Sequence, residues 1–265
     1  CIFSMPRGLI IIFSLFHFIT PNCLGQYPAI DSLIYQFEHS HSDSSKVIAL
    51  NALSWEYKNN GDFLNSLKYA NLSRDISEKN LKLNSEQTST VFFKKESGKA
   101  YSTIGVCKMA QGYYPEALNN YLIALKLREA INDKKGIANT YNNIGINYRY
   151  QQSYTESLRN YFLTLNLRRE LNDFSGVGSV LSNIGAVIVD KADSSKSKLN
   201  KLFADSLYKI ALTYYESAFK VQDSIQDLRG LGNTLNNIGV AYANLGENSK
   251  ALENYLSALK IREQQ

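Results

Sequence analysis

The stretch Tyr141-Asn142-Asn143-Ile144-Gly145 is one of four related five-residue stretches, and this recurrence decides the fold. The other three end at Gly105, Gly185 and Gly239, and each has isoleucine immediately before the glycine. The first three glycines lie 40 residues apart, and the fourth follows after 54. Self-similarity at a fixed period is typical of architectures in which equivalent units stack side by side.

A second small residue follows each of these glycines, and a tyrosine comes next. In three units the interval from glycine to alanine or serine is 12 residues, whereas in the third unit it is 26. The small residues are Ala117, Ser157, Ala211 and Ala251, and the tyrosines are Tyr121, Tyr161, Tyr215 and Tyr255. The longer interval predicts an insertion at about 191–204 in the third unit, and its Ser/Lys-rich composition is typical of solvated chain.

The spacing within each unit predicts a pair of helices. Apolar and small residues recur at intervals of three and four, as on one face of an amphipathic helix. Between units, an Asp-x-x-Gly pattern beginning at Asp133, Asp173 and Asp227 supplies a helix stop and the next helix start. The small residues let the two helices approach closely, and the large residues fill the space between neighbouring pairs. One pair cannot bury its apolar face alone, so several must stack.

This pattern resembles the tetratricopeptide repeat (TPR). The small-residue pair and the tyrosine match in four units covering residues 98–265, and a weaker unit at 47–97 carries Ser54, Gly61 and Ser66 followed by an 11-residue extension. The 40-residue period resembles the longer-period subclass found in kinesin light chains. The resemblance implies an all-α fold, a right-handed superhelical solenoid of antiparallel helix pairs.

A further resemblance lies ahead of the repeats, where residues 26–46 are predicted to form a first helix and loop. The segment 31–57 is similar to the opening of the exported repeat regions of bacterial sensor histidine kinases. That resemblance implies a periplasmic position ahead of a membrane helix and an output domain. The sequence stops at Glu263-Gln264-Gln265 without a polar capping helix. We interpret it as the binding half of a longer protein, which reaches a membrane only through a missing downstream segment.

Residues 1–25 have the pattern of a signal peptide. Arg7 precedes the apolar run 9–19, no acidic residue occurs, and small residues lead to a polar mature start. With Met5 as the initiator, cleavage is predicted after Gly25, giving a periplasmic or secreted bacterial protein. Lipidation at Cys23 is the alternative, although 20–22 is a poor match to a lipobox. The mature chain would keep only Cys107, which is expected to be a buried structural residue.

Composition and motifs argue against catalysis and against nucleic acid. The net charge of +5 is spread over mixed acidic and basic residues, without a basic block. His39 and His41 lack cysteine or carboxylate partners at metal-binding spacing. Walker loops and nucleophile elbows are absent from the sequence. The sequence therefore predicts a protein that is not an enzyme and has no cofactor or metal. Trp55 and the tyrosines that recur in the repeats are expected to belong to the core and not to a cofactor site.

Asparagines recur on one face of the first helix of each pair. If the repeat glycine is position eight, Asn143, Asn183 and Asn237 occupy position six, and positions two, six, nine and thirteen share a face. In the family that the sequence resembles, this face lines a concave groove, and an asparagine ladder there grips the backbone of an extended peptide. The predicted peptide-binding residues are Asn139, Asn143, Tyr150, Asn183, Asn233, Asn237 and Asn244.

The asparagines have a structural alternative, because a buried amide that bridges adjacent helices would also recur in copied repeats. The leading functional hypothesis is an extracytoplasmic sensor or interaction module for a peptide or protein, with a possible homodimer as the signalling form. A stand-alone periplasmic adaptor is the second hypothesis. An enzyme is a third, and it would need an activity supplied by the insertion at about 191–204.

Overall fold

The computed structural model describes residues 28–83, 86–195 and 200–264, and these residues form eleven α-helices and no strand. The helices are α1 (Pro28–Glu38), α2 (Asp43–Asn59), α3 (Phe63–Leu83), α4 (Gln87–Ala110), α5 (Tyr114–Glu129), α6 (Lys134–Tyr150), α7 (Tyr154–Glu170), α8 (Phe174–Ser194), α9 (Lys201–Ser224), α10 (Leu228–Leu245) and α11 (Asn248–Glu263). The predicted all-α solenoid of antiparallel helix pairs is confirmed. The proposed signal peptide, residues 1–25, lies outside the described residues.

Five consecutive pairs, α2–α3 to α10–α11, stack in order along the solenoid. The first helices of neighbouring pairs contact one another at α2–α4, α4–α6 and α8–α10, whereas contact of this extent is missing between the described second helices. The first helices therefore form the inner, concave row and the second helices form the outer row. This arrangement places positions two and six of every repeat on the inside.

The two helices of a pair are held together by a tyrosine ring that lies on a glycine. A Cβ atom added at Gly105 would lie 2.5 Å from Cε1 of Tyr121, and one at Gly145 would lie 2.9 Å from Cε1 of Tyr161. The same contact occurs in the next two pairs, between Gly185 and Tyr215 and between Gly239 and Tyr255. Only glycine permits this approach, which explains why the residue recurs in all four units.

The weaker first pair uses hydrogen bonds in place of the glycine. Ser54 Oγ donates to the carbonyl of Ser66 (2.9 Å), and Ser66 Oγ donates to the carbonyl of Ser54 (2.8 Å). Both serines are fully buried, and the Cys107 thiol donates to Ser66 Oγ at 3.3 Å. Cys107 is therefore the buried structural residue that the sequence predicted.

Each Asp-x-x-Gly turn begins a new pair. Asp133, Asp173 and Asp227 lie at the N-caps of α6, α8 and α10, and each carboxylate accepts a hydrogen bond from the glycine three residues later at 2.9–3.0 Å. The preceding residues, Asn132 and Asn172 among them, adopt a left-handed backbone with φ of 54° and 52°. This conformation ends the previous helix and allows the chain to reverse.

Two segments outside the predicted repeat pattern are helical. The 11-residue extension after the weak repeat is helical, since α4 begins at Gln87 and buries Phe93. Both described ends of the insertion at about 191–204 are helical as well, since α8 continues to Ser194 and α9 begins at Lys201. Most of their residues are exposed, as the composition predicted. Ala192 and Ala204 are buried between the lengthened helices. In both places, residues that pack on a neighbouring helix continue the helical pattern.

We expect Gly145→Ala to lower the free energy of unfolding by about 1–3 kcal/mol, because the new methyl group would overlap the Tyr161 ring. Tyr161→Phe is the matched change on the other side of the contact. It keeps the ring and removes a buried hydroxyl that has no hydrogen-bond partner, so stability should be unchanged or raised by about 1 kcal/mol. Urea unfolding followed by circular dichroism measures both. Wild-type stability in Gly145→Ala would show that this contact does not set the helix spacing.

Candidate functional site

The concave face carries two grooves lined by the inner row of helices. The N-terminal groove, a cavity of ≈ 620 Å³, is formed by α2, α4 and α6 together with Arg128. Its lining includes Ile48, Asn51, Trp55, Lys99, Asn139 and Asn143. The C-terminal groove, of ≈ 370 Å³, is formed by α8 and α10 and is closed by two side chains of the outer row. Its lining includes Asn183, Gln222, Asn233, Asn236, Asn237 and Arg262.

Five of the seven residues predicted to bind peptide line these grooves. Asn139 and Asn143 lie in the N-terminal groove, and Asn183, Asn233 and Asn237 lie in the C-terminal groove. The other two predicted residues, Tyr150 and Asn244, are found in the lining of neither groove. Tyr150 lies at the end of α6, where its exposed ring stacks on Tyr114 with 6.2 Å between the ring centroids.

Three of the predicted amides that line the grooves have hydrogen-bond partners inside the protein. Asn139 Oδ1 accepts a hydrogen bond from Arg168 Nη2, and Asn233 Oδ1 accepts one from Arg262 Nη2 at 3.3 Å. Asn183 Nδ2 donates to Oδ1 of Asn142 at 3.2 Å and thereby joins α8 to α6. In each of these three residues, the oxygen or the nitrogen of the side-chain amide is already bonded within the protein, as the structural alternative predicts.

Asn143 and Asn237 are different, because neither side chain forms a hydrogen bond with another residue in the described part of the chain. Both are half-buried on the concave face, one in each groove. A half-buried amide has lost part of its hydration and gains from a partner that offers both a donor and an acceptor. These two residues are the ones best placed to contact a ligand.

Sequence reasoning missed position five, which links neighbouring repeats along the inner row. Asn51 Nδ2 donates to Glu96 Oε2 at 2.8 Å, joining α2 to α4. Ser182 and Thr234 share a hydrogen bond of 2.7 Å between α8 and α10. Two consecutive asparagines occur in the second and fourth units, at positions five and six. The first of the two indicated that position five is also polar, but only position six entered the prediction.

Trp55 is exposed, in contrast to the core position expected from the sequence. It occupies position nine of the weak repeat, and 54% of its surface remains accessible on the wall of the N-terminal groove. The ammonium group of Lys58 lies 3.1 Å from the centroid of its ring. Ile48, which is also 54% exposed, lies in the same wall. The α2 wall therefore offers exposed apolar surface next to the polar side chains of Asn51, Glu56 and Lys58, whereas the facing wall on α6 consists of amides.

An ion pair fixes the joint between α6 and α8. Arg149 Nε and Nη2 donate to the two carboxylate oxygens of Asp190 at 2.5 and 3.1 Å. Burial works to lower the pKa of Arg149, but the hydrogen bond and charge of Asp190 outweigh it and raise that pKa. The Arg149 guanidinium is thus engaged within the solenoid.

The outer-row arginine Arg168 links the concave face to a helix cap. One nitrogen binds Asn139, and another donates to the carboxylate of Asp173. Burial works to raise the pKa of Asp173, but hydrogen bonds from Gly176 and Arg168 overcome this and hold that pKa below its usual range. Asn139, Arg168 and Asp173 form a polar cluster that serves the repeat itself.

Within the described ranges, there is no group of three histidine, cysteine, aspartate or glutamate side chains that could hold a metal ion. The same ranges contain no helix with the length and apolar character required to cross a membrane.

Two family models, both described as tetratricopeptide repeat, match residues 96–187 and 231–264. These segments are similar to tetratricopeptide repeats. The matched ranges contain the four glycines whose contacts hold the helix pairs together and three of the four tyrosines, whereas Tyr215 lies between the two ranges. No curated protein matches the chain.

Solved structures show the same TPR-like solenoid. BtubC (BKLC) from P. vanneervenii is 18% identical, with a TM-score of 0.65 over 89% of this chain and 91% of that chain. A putative kinesin light chain of nearly identical TPR-like repeats from Podosopora anserina is 12% identical, with a TM-score of 0.60 over 85% and 98%. A Rap protein complexed with competence and sporulation factor is 15% identical, with a TM-score of 0.56 over 89% and 70%.

The contrast between engaged and free amides predicts unequal effects on stability. Asn139→Ala should lower the free energy of unfolding by about 1 kcal/mol, because Arg168 loses an acceptor. Asn143→Ala should change it by less than about 0.5 kcal/mol, since that side chain has no partner to lose. Urea unfolding of the two variants beside wild type tests this, and equal losses would contradict the assignment of separate roles.

Proposed function

We propose that the protein binds an extended peptide or protein segment along its concave face and performs no catalysis. The observation that supports this function is the pair of unpartnered amides, Asn143 and Asn237, with one in each groove. A carboxamide can donate to a peptide carbonyl and accept from a peptide N–H, so it holds a backbone without selecting a side chain. Repetition along the solenoid suits repetition along an extended ligand.

The two walls of the N-terminal groove offer different kinds of contact to a ligand. Asn143 on α6 faces the cavity as a polar partner for backbone, whereas Trp55 and Ile48 on α2 offer exposed apolar surface. Exposed aromatic residues in concave sites supply large contact area at a low cost in side-chain entropy. A ligand that bonds its backbone to the amides can therefore place an apolar side chain against Trp55.

The fold comparison supports a binding role. A Rap protein with the same kind of solenoid was solved in complex with competence and sporulation factor. TPR-type repeats also present a continuous surface to which every unit contributes, so binding energy is spread over several repeats.

We further propose that the repeats belong to the longer-period subclass and form the extracytoplasmic sensor part of a transmembrane signalling protein. The signal-like residues 1–25 and the similarity of 31–57 to exported kinase sensor regions support this proposal. A ligand would bias the curvature of the solenoid or its pairing with a second copy. A stand-alone periplasmic adaptor remains the second candidate, supported by the same groove and leader segment.

The amides can be tested with a defined probe, a library of random 12-residue peptides with amidated carboxyl termini. Replacing Asn143, Asn183 and Asn237 together with alanine should abolish peptide capture while leaving helicity and the melting temperature near wild type. Asn183 loses one hydrogen bond to Asn142, which accounts for a stability change of no more than about 1 kcal/mol. Capture is measured by enrichment and then by titration with selected peptides.

The outer row provides a matched control. Asn120, Asn160 and Asn254 lie on second helices, and each donates only to the carbonyl four residues earlier in its own helix, at 2.7–2.8 Å. The corresponding triple alanine variant should capture the same peptides as wild type. If the inner variant melts much earlier and still binds, the inner asparagines are structural and the proposed function is wrong.

Export and processing give a separate prediction. Expression of the full chain in a bacterial host, with periplasmic fractionation and intact-mass analysis, should yield a mature protein that begins at Gln26. A mass increase that corresponds to a diacylglyceryl group on Cys23 would favour the lipoprotein alternative. Retention of residues 5–25 in a cytoplasmic fraction would contradict the extracytoplasmic proposal and leave the groove unaffected.

A further inference from the structure

The last turn of four outer helices, α5, α7, α9 and α11, carries a polar side chain that reaches the concave row. The equivalent residues are Arg128, Arg168, Gln222 and Arg262. In two repeats this side chain donates to the amide oxygen at position two of the same repeat, from Arg168 to Asn139 and from Arg262 to Asn233. Position two is therefore an internal acceptor for the outer-row arginine.

The first full repeat lacks that acceptor. Its position two is Lys99, which has donors only, and the Lys99 ammonium bonds to Glu96 Oε1 at 2.7 Å. Arg128 instead uses Nη1, which donates to the carbonyl of Gly136 at 2.8 Å and to the hydroxyl of Thr140. Its Nη2 has no acceptor among the residues that the structure describes.

Arg128 is also the outer-row arginine with the least compensation for burial. Its side chain is in the lining of the N-terminal groove with only 5% of its surface exposed, and its Nε is buried without an acceptor. Burial lowers the pKa of Arg128, and the charge of Asp133 opposes this, although no hydrogen bond or ion pair joins the two side chains in the described part of the chain. Arg168, by contrast, bonds to a carboxylate directly. A buried charge without a bonded counterion is costly, and a ligand that supplies one relieves that cost.

The remaining charges of the groove favour the same conclusion. Its lining contains the cations Lys58, Lys99 and Arg128 and the acids Glu56 and Glu96. Glu96 is already occupied by Lys99 and by Asn51 at 2.8 Å. The lining therefore has one cation more than it has acids, and Lys99, although paired with Glu96, keeps further N–H donors for a ligand carboxylate.

We propose that the N-terminal groove binds an aspartate or glutamate side chain of the peptide, whose carboxylate accepts from Arg128 Nη2 beside the Lys99 ammonium. The carboxylate replaces the amide oxygen that Asn139 and Asn233 supply to the equivalent arginines in other repeats. This inference rests on the proposed peptide-binding function and names the ligand as an acidic peptide. An extended peptide held by Asn143 would present such a side chain toward α4 and α5.

Two variants copy solutions that the protein already uses. Lys99→Asn restores the position-two acceptor found in the second and fourth repeats. Arg128→Gln introduces the residue that the third repeat has at the equivalent position, Gln222. There, Gln222 Oε1 accepts a hydrogen bond from Thr234 at 2.8 Å. Thr140 stands where Thr234 does, so this variant is expected to fold. Lys126→Gln, an exposed residue of the same helix as Arg128, is the matched change of charge.

The experiment uses the amidated 12-residue library on the full chain. Wild type and Lys126→Gln should enrich aspartate or glutamate at one peptide position, and Lys99→Asn and Arg128→Gln should lose that enrichment while still capturing peptides. For a selected peptide, acid-to-amide replacement should weaken binding to wild type about tenfold and leave binding to Arg128→Gln unchanged. In Lys99→Asn, Arg128 gains an acceptor while the buried Glu96 loses its ion pair with Lys99, so urea unfolding beside wild type is the check that this variant folds.

The outcomes separate this inference from the function on which it rests. Enrichment without an acidic position would overturn the inference and leave peptide binding in place. If both Lys99→Asn and Arg128→Gln still enrich peptides with an aspartate or glutamate at that position, the carboxylate binds elsewhere and the inference is also overturned. A second library with free carboxyl termini addresses the other carboxylate source, and binding restricted to that library contradicts the side-chain assignment. Capture of no peptide by either library would contradict the proposed function itself.

Discussion

The close approach of a tyrosine ring to a glycine backbone is the contact on which the whole solenoid depends. It sets the distance between inner and outer helices in four successive pairs, from Gly105 with Tyr121 to Gly239 with Tyr255. Because the spacing is the same in each pair, the inner helices line up and equivalent positions fall on one concave face. The grooves, the amides within them and the arginines that reach them from the outer row all follow from this constraint.

The repeat pattern predicted the architecture well because packing and periodicity have the same origin. Glycine, small residues and tyrosine recur where helices touch, so Cys107 and the helix pairs could be placed from sequence. The sequence did not indicate that both ends of the insertion are helical. Ala192 and Ala204 continue an apolar face there, but they lie inside a segment of mostly polar composition. Helical continuation of that kind depends on what lies across from the residue, which local composition does not encode.

The candidate site was predictable in part, and the missing parts have a common cause. Position six identified Asn143 and Asn237, which remain unpartnered, but it also selected Asn183, which bonds to Asn142. Trp55 was assigned to the core because its repeat is degenerate and its position on the inner face was not recognised. Arg128 could not be found from its own helix, because its significance comes from Lys99 on a neighbouring helix. Side-chain pairing across repeats is a property of the three-dimensional arrangement.

The buried apolar residues are distributed unevenly along the solenoid, and this bears on how it assembles. The extensive cluster runs from α7 to α10 around the lengthened α8–α9 pair, while a small one joins α5 to α6. In stacked repeats, each interface between neighbouring units adds its own stabilisation to that of the single units. The interfaces around α8 and α9 bury more clustered apolar surface than those of the units that carry Trp55 and Arg128. The C-terminal half is therefore the more stable support on which the groove-bearing N-terminal units stack.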